Sequence, residues 1–260
     1  MKMNELKLVY FSPTGTTRKV IMEAARSIDL KSTSHDFSVY KEKKPVLKFA
    51  ENDFALFGIP VYYGRVPALF TEYLKGITGN GTPAALIATY GCRDYEDALL
   101  ELKDIVEKNG FKVIAAAAFP AEHSLDPTIG ARRPNKADLK TIAEYGVELT
   151  RRIKKSDTFD SFDISLPGNT PYRKYGKNML FPKADVNSCT ECKACAKVCP
   201  AGAISLKDPK KTDKDKCIGC LKCVRICRQN ARSVNSLKMK MVTSRLSKVC
   251  QSDKKADIFL

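Results

Sequence analysis

The chain has 260 residues, 43% apolar and 28% charged, with a formal net charge of +16 and ten cysteines. That length suits one ordinary domain plus a small one, and the balance of residue types excludes a disordered or fibrous protein. No apolar stretch approaches the roughly 20 residues that span a bilayer. Lys2, Glu5 and Lys7 interrupt the region where an export leader needs an uncharged core, so a soluble, cytoplasmic protein is expected.

Leu6 to Phe11 is a short apolar run ending in a loop, the pattern of a buried parallel strand. Thr17 to Ile28 places Val20, Ile21, Ala24, Ala25 and Ile28 on one helical face. A weaker strand is expected near Phe37 to Tyr40. Phe54 to Ile59 is the next apolar run, closed by Pro60, and Pro67 opens a helix through Leu74, where its missing N–H costs nothing. Ala84 to Thr89 reads as a strand. Asp94 reads as the N-cap of a helix carrying Ala98, Leu99, Leu102, Ile105 and Val106 and ending at Asn109-Gly110. Val113 to Phe119 is the last strand, and Leu139, Ile142, Gly146, Leu149 and Ile153 stripe a final helix. Five strands interleaved with helices predict an α/β, doubly wound parallel sheet, and the flavodoxin-like strand order 2-1-3-4-5 fits the count. The chain divides into this domain (1–155), a connector rich in Pro, Gly, Asn and Tyr (156–182), a small α+β cysteine-rich domain (183–235) and a basic tail (236–260).

Directly after the first strand stands Ser12-Pro13-Thr14-Gly15-Thr16-Thr17. Its hydroxyls, with backbone N–H groups at a helix N-terminus, can cradle a phosphate dianion without Lys or Arg; a Ser/Thr-rich turn that only caps a helix would read the same way. The loop resembles the phosphate loop of flavodoxins, and the resemblance implies FMN held through Ser12, Thr14, Gly15, Thr16 and Thr17. Two further loops fall at the strand ends where the flavin ring lies in that fold. They are Val61-Tyr62-Tyr63-Gly64 and Thr89-Tyr90-Gly91, with Tyr95 just beyond. The chain has no Trp, so Tyr62, Tyr63, Tyr90 or Tyr95 is expected to flank the ring. His123, after the fifth strand, is a candidate donor to the flavin or a substrate, or else a satisfied loop histidine. Cys92, before an expected helix N-terminus, is a candidate low-pKa thiol, or else an inert loop cysteine. Cys250, in the tail, reads as incidental.

Eight of the ten cysteines lie between Cys189 and Cys227, which reads as metal ligation in a reducing compartment rather than a disulfide scaffold. The run Cys189-x2-Cys192-x2-Cys195-x3-Cys199 recurs 28 residues later as Cys217-x2-Cys220-x2-Cys223-x3-Cys227. Zinc also takes paired Cys-x2-Cys, but three closely spaced thiolates plus a remote fourth, twice over, suit the corners of a cubane. The pattern is similar to that of two-cluster bacterial ferredoxins. Carried over by position, it implies one 4Fe–4S cluster on Cys189, Cys192, Cys195 and Cys227, and a second on Cys217, Cys220, Cys223 and Cys199. Ala203 and Ser205 match Ala231 and Ser233 at the same offset. Arg228 stands where the first run has Pro200. With Lys193, Lys197, Lys222 and Arg225 it favours reduced clusters, so the potentials are expected to be less negative than in an acidic ferredoxin of this type.

Residues 5 to 235 resemble the flavodoxin–ferredoxin fusion proteins of anaerobic bacteria and archaea. The resemblance rests on the phosphate loop, both cysteine runs, Ala121-Glu122-His123-Ser124 through Arg132-Arg133-Pro134, and Pro167-Gly168-Asn169-Thr170-Pro171-Tyr172. It implies an electron-transfer iron–sulfur flavoprotein, with FMN and two 4Fe–4S clusters converting between one- and two-electron chemistry. The alternatives are an FMN-dependent reductase of a small organic substrate, fed by its own ferredoxin domain, and a redox sensor. The positive charge comes without a helix-turn-helix, zinc-finger or RNA-binding signature. It points away from nucleic acid and toward an acidic redox protein partner steered by the basic surface.

Overall fold

The computed structural model describes every residue except Met1, Lys44, Asp157, Asp160, Ser161, Gln251 and Ser252. The chain runs β1 (Leu6–Tyr10), α1 (Thr16–Arg26), β2 (Ser32–Asp36), β3 (Leu47–Lys48), β4 (Phe54–Pro60), α2 (Ala68–Leu74), β5 (Ile77–Thr78), β6 (Thr82–Tyr90), α3 (Ala98–Lys108), β7 (Phe111–Pro120) and α4 (Lys136–Lys155). After the connector come β8 (Lys183–Ala184), α5 (Ala194–Lys197), α6 (Lys222–Arg225), β9 (Arg232–Ser233), α7 (Ser236–Val249) and β10 (Asp257–Phe259).

The main sheet has the order β10-β7-β6-β4-β1-β2. Its parallel part is the expected 2-1-3-4-5 arrangement, in which β1 pairs with both β2 and β4, β4 with β6, and β6 with β7. Side chains alternate between the two faces, as the strand period requires. Val9, Phe57, Ile59 and Leu86 pack under α2 and α3, while Leu8, Leu56, Ile87 and Phe119 pack under α1 and α4. Helices on both faces explain why β6 is buried along its whole length. Among the described residues, no helix is long and apolar enough to cross a membrane.

Three expectations are corrected. The second strand is Ser32–Asp36, not Phe37 to Tyr40. As an edge strand it exposes both faces, so it carries no apolar period, whereas Phe37 leaves the sheet to pack on Phe70 and Tyr73. The sheet also has a sixth strand. The basic tail returns as β10 and pairs antiparallel with β7, Ile258 facing Ala117, covering an edge that would otherwise lie open. The third helix begins at Ala98, with Asp97 rather than Asp94 at its N-cap position.

In the cysteine-rich part, β8 and β9 pair antiparallel around two one-turn helices. The 28-residue repeat is written in the backbone. Left-handed φ values occur at Glu191 and Gly219, at Lys193 and Leu221, and at Gly202 and Asn230, each pair one repeat apart.

Candidate functional site

The loop after β1 wraps the N-terminus of α1. The buried Ser12 hydroxyl accepts from Arg18 N at 2.9 Å, while Ser12 N donates to Ser38 Oγ at 2.6 Å. The Thr17 hydroxyl is turned inward against Thr89 Oγ1, 2.6 Å away, tying the loop to the end of β6. Ser12 and Thr17 therefore build the loop, leaving Thr14, Gly15 and Thr16 at its rim. Gly15 sits at φ 91, a left-handed position that suits glycine, and a Cβ there would project into open space. Gly15, at the N-cap position of α1, offers no capping side chain, and the first turn carries no acid. Among the described residues the N–H groups of Thr14, Thr16 and Thr17 meet no protein acceptor. An open rim with unpaired donors at a helix N-terminus fits a phosphate.

Beyond β4, Tyr62 and Arg65 exchange backbone hydrogen bonds of 3.0 Å across a tight turn at Tyr63 and Gly64. Val61 N donates to Thr89 O at 2.8 Å, joining the two flavin-side loops. Tyr62 is half-buried and Tyr63 exposed. Burial raises both phenol pKa values, and the nearby Cys220 acts on Tyr62 as Cys217 does on Tyr63. Tyr90 and Tyr95 are placed differently: both are buried in the core, edge to face at 5.5 Å. Their pKa values are raised by burial and by Asp257 of β10, which also takes a hydrogen bond from Tyr95.

The turn is held from below by two buried carboxylates, Asp97 at the N-cap position of α3 and Glu101 in its first turn. Glu101 binds Arg65 through both oxygens at 2.7 Å. Asp97 accepts from Asn169 N, Asn169 Nδ2 and Arg173 N at 2.7–2.9 Å. The Pro167–Tyr172 stretch of the connector is thus a strap, and Tyr172 and Tyr175 stack on the Arg65 guanidinium at 4.8 and 4.4 Å.

His123 lies directly over Gly91, where a Cβ would stand 2.1 Å from its ring. Its Nδ1 accepts from Leu125 N at 3.1 Å. Burial, with Arg93 and Arg225 nearby, lowers its pKa below the usual imidazole value, so the ring is neutral at pH 7. Cys92 departs from the reactive-thiol expectation. It is buried, bonds to Ala121 O at 3.6 Å, and burial pushes its thiol pKa up; helix α3 begins six residues later, so no dipole acts on it. Cys250 is not incidental, because its thiol reaches Gly91 O at 3.3 Å.

Cys199, Cys217, Cys220 and Cys223 line one mostly apolar cavity, with Pro182, Ile204 and Leu221 among its walls. Burial pushes Cys220 up to about 12 and Cys223 up to about 11, and the thiols of this set raise one another. Among the described residues, no three His, Cys, Asp or Glu side chains sit close enough to share a single metal ion; the four thiols stand around the cavity instead. The other set is more open: Cys192 is exposed, and Cys189, Cys195 and Cys227 are half-buried.

The cavity side of this unit docks on the flavin-side loops. Ile218 packs against the core under α2 and α3. Arg225 donates to Ser124 O at 3.1 Å and lies 3.8 Å from Glu122. Tyr40 N donates to Cys199 O at 3.3 Å, and Lys222 Nζ to Ser38 O at 3.4 Å.

Arg232, on β9, was not singled out from the sequence. It is 2% exposed, and among the described residues it has no carboxylate partner. Its Nη1 donates to Pro209 O at 2.6 Å and to Cys195 Sγ at 3.7 Å, while Nη2 donates to Pro182 O at 3.1 Å and to Thr212 Oγ1. Its Nε has no partner. A buried cation without a counter-charge fits a negatively charged group held by the cysteines.

Residues 188–232 match the family described as 4Fe-4S dicluster domain. No curated protein matches the chain. Among solved structures, a flavodoxin from the domain Archaea is 16% identical, spanning 58% of this chain and 99% of its own, with a TM-score of 0.41. The Fusobacterium nucleatum flavodoxin bound to flavin mononucleotide is 18% identical over 58% of this chain and 99% of its own, with a TM-score of 0.40. The two-electron reduced Megasphaera elsdenii flavodoxin is 15% identical over 55% and 98%, with a TM-score of 0.37. The strand order, not these likenesses, carries the fold assignment. The chain joins a doubly wound α/β domain of flavodoxin-like topology to a C-terminal segment that matches the 4Fe-4S dicluster domain, the architecture of a flavodoxin–ferredoxin fusion.

Proposed function

We propose that this chain is an electron-transfer iron–sulfur flavoprotein. Cys217, Cys220, Cys223 and Cys199 hold an inner 4Fe–4S cluster, and Cys189, Cys192, Cys195 and Cys227 an outer one. Thr14, Gly15 and Thr16 would hold the phosphate of FMN, and Tyr62 is the residue that would meet its ring. Bound there, the clusters supply single-electron exchange and FMN one- or two-electron exchange. The observation that carries this reading is the docking of the inner cysteine set on the α/β domain: Ile218 packs on its core, Tyr40 N donates to Cys199 O at 3.3 Å and Arg225 donates to Ser124 O at 3.1 Å. The outer set faces solvent at Cys192, which is followed in the chain by the exposed Lys193 and Lys197, so an acidic redox protein meets the chain there. With these groups loaded, the Cys192 set would exchange electrons with the partner and the Cys220 set with the flavin.

Iron and flavin analysis of anaerobically reconstituted protein tests it. Wild type is expected to carry FMN and about eight irons, as two 4Fe–4S clusters require. Cys199→Ser and Cys220→Ser should each lose signals of one and the same cluster, and Cys192→Ser and Cys227→Ser those of the other. Loss patterns that pair Cys199 with Cys192 would overturn the ligand assignment. Protein without flavin would overturn the FMN reading.

A further inference from the structure

We propose that Arg232 is the shared counter-ion of the two clusters and sets their reduction potentials, the outer one most strongly. This rests on the two-cluster reading above. The guanidinium is buried, it has no carboxylate partner among the described residues, and its Nε is left without an acceptor. Its other donors clamp two chain segments, at Pro182 and at the Pro209 to Thr212 loop, which aim Nη1 at Cys195 Sγ, 3.7 Å away. The same guanidinium donates through Nη2 to Pro182 O and Thr212 Oγ1, both of which line the cavity of the inner set. A position that touches one cysteine set and reaches the other is what a counter-ion common to two anionic clusters requires.

The internal repeat sharpens the point. One repeat earlier, the residue equivalent to Arg232 is Ile204, a buried apolar residue on the wall of the inner cavity. One half of the unit therefore carries a hydrocarbon where the other carries a permanent cation, so the two clusters sit in different electrostatic surroundings. Each cluster gains one negative charge on reduction, and a fixed positive charge in a site shielded from water favours that state. The exposed lysines around the cysteines act the same way but are screened by solvent and salt. Arg232 is thus a positioning and tuning residue and takes no part in electron exchange itself.

The test uses the full chain with both clusters loaded, read by EPR-monitored redox titration. Arg232→Gln, which keeps hydrogen-bonding capacity and removes the charge, is expected to lower the outer cluster's potential by about 59 mV or more, a tenfold shift of the one-electron equilibrium. The inner potential should fall less. Arg232→Lys should recover most of the outer shift, since it restores the charge without the planar fork, while the exposed Lys197→Gln should move neither potential comparably. Wild-type protein labelled with 15N-arginine gives a second readout that needs no variant: reduced protein should show arginine nitrogen coupling to a cluster in pulsed EPR. Loaded Arg232→Gln protein with unchanged potentials, or no arginine coupling in wild type, would overturn the proposal alone. Wild-type protein that binds no clusters would overturn the two-cluster reading with it.

Discussion

At the residue scale, Asp97 shows how one buried group positions the site. Burial alone would raise its pKa, but three N–H donors from the connector and the neighbouring Arg65 hold its carboxyl below the usual carboxylate range. A depressed folded-state pKa means the strap contributes fully above the unfolded value of about 3.9 and is lost as pH falls through the lower folded value. Asp97→Asn is therefore expected to destabilise the protein by about 1.5–3 kcal/mol at pH 7, the range for hydrogen bonds to a charged group. It should also speed proteolysis of the 166–175 segment. Unchanged cleavage would mean that the strap is held by something other than Asp97. The two sets of cysteines were legible in the sequence because cubane ligation imposes a spacing. Arg232 was not, although Ala203 and Ser205 matched Ala231 and Ser233, because only a comparison of Ile204 with Arg232 inside the repeat exposes the replaced core position. Cys92 misled because its place in the sequence suggested a helix N-terminus that in fact begins at Ala98.

At the scale of elements, the buried parallel strands and amphipathic helices were readable because burial on both faces forces apolar runs and a helical stripe forces a 3.6-residue period. What escaped were the edges. Strand β2 is exposed on both faces and has no pattern to read. The three-residue β10 is marked by its backbone pairing with β7 rather than by composition. Its contribution is measurable: Phe259 packs on the core, Asp257 takes the Tyr95 hydrogen bond, and Lys254 O receives Arg133 Nη1 at 2.7 Å. Deleting residues 253–260 should cost about 2–3 kcal/mol from the lost apolar packing and strand pairing, lowering Tm by about 5–10 °C. A truncated protein that melts with wild type would show that the edge strand contributes no stability.

At the scale of the whole molecule, the two cysteine sets differ in their surroundings. In one set Cys192 is exposed and the other three cysteines are half-buried, whereas the other set lines a cavity in the unit that docks on the α/β domain. The order of the two cysteine sets relative to the flavin-side loops had no signal in the sequence, because it depends on docking through Ile218, Arg225 and Tyr40 rather than on either motif. The most direct test of the relay is anaerobic stopped-flow mixing of the loaded protein with a reduced, acidic, low-potential ferredoxin. Cluster and flavin bleaching should be followed separately in wild type and in Cys220→Ser. In wild type both chromophores should be reduced. In the variant, the outer cluster should bleach at an unchanged rate while flavin reduction slows about tenfold or more, equivalent to at least 1.4 kcal/mol of added barrier. Flavin reduction at the wild-type rate without the inner cluster would contradict the relay.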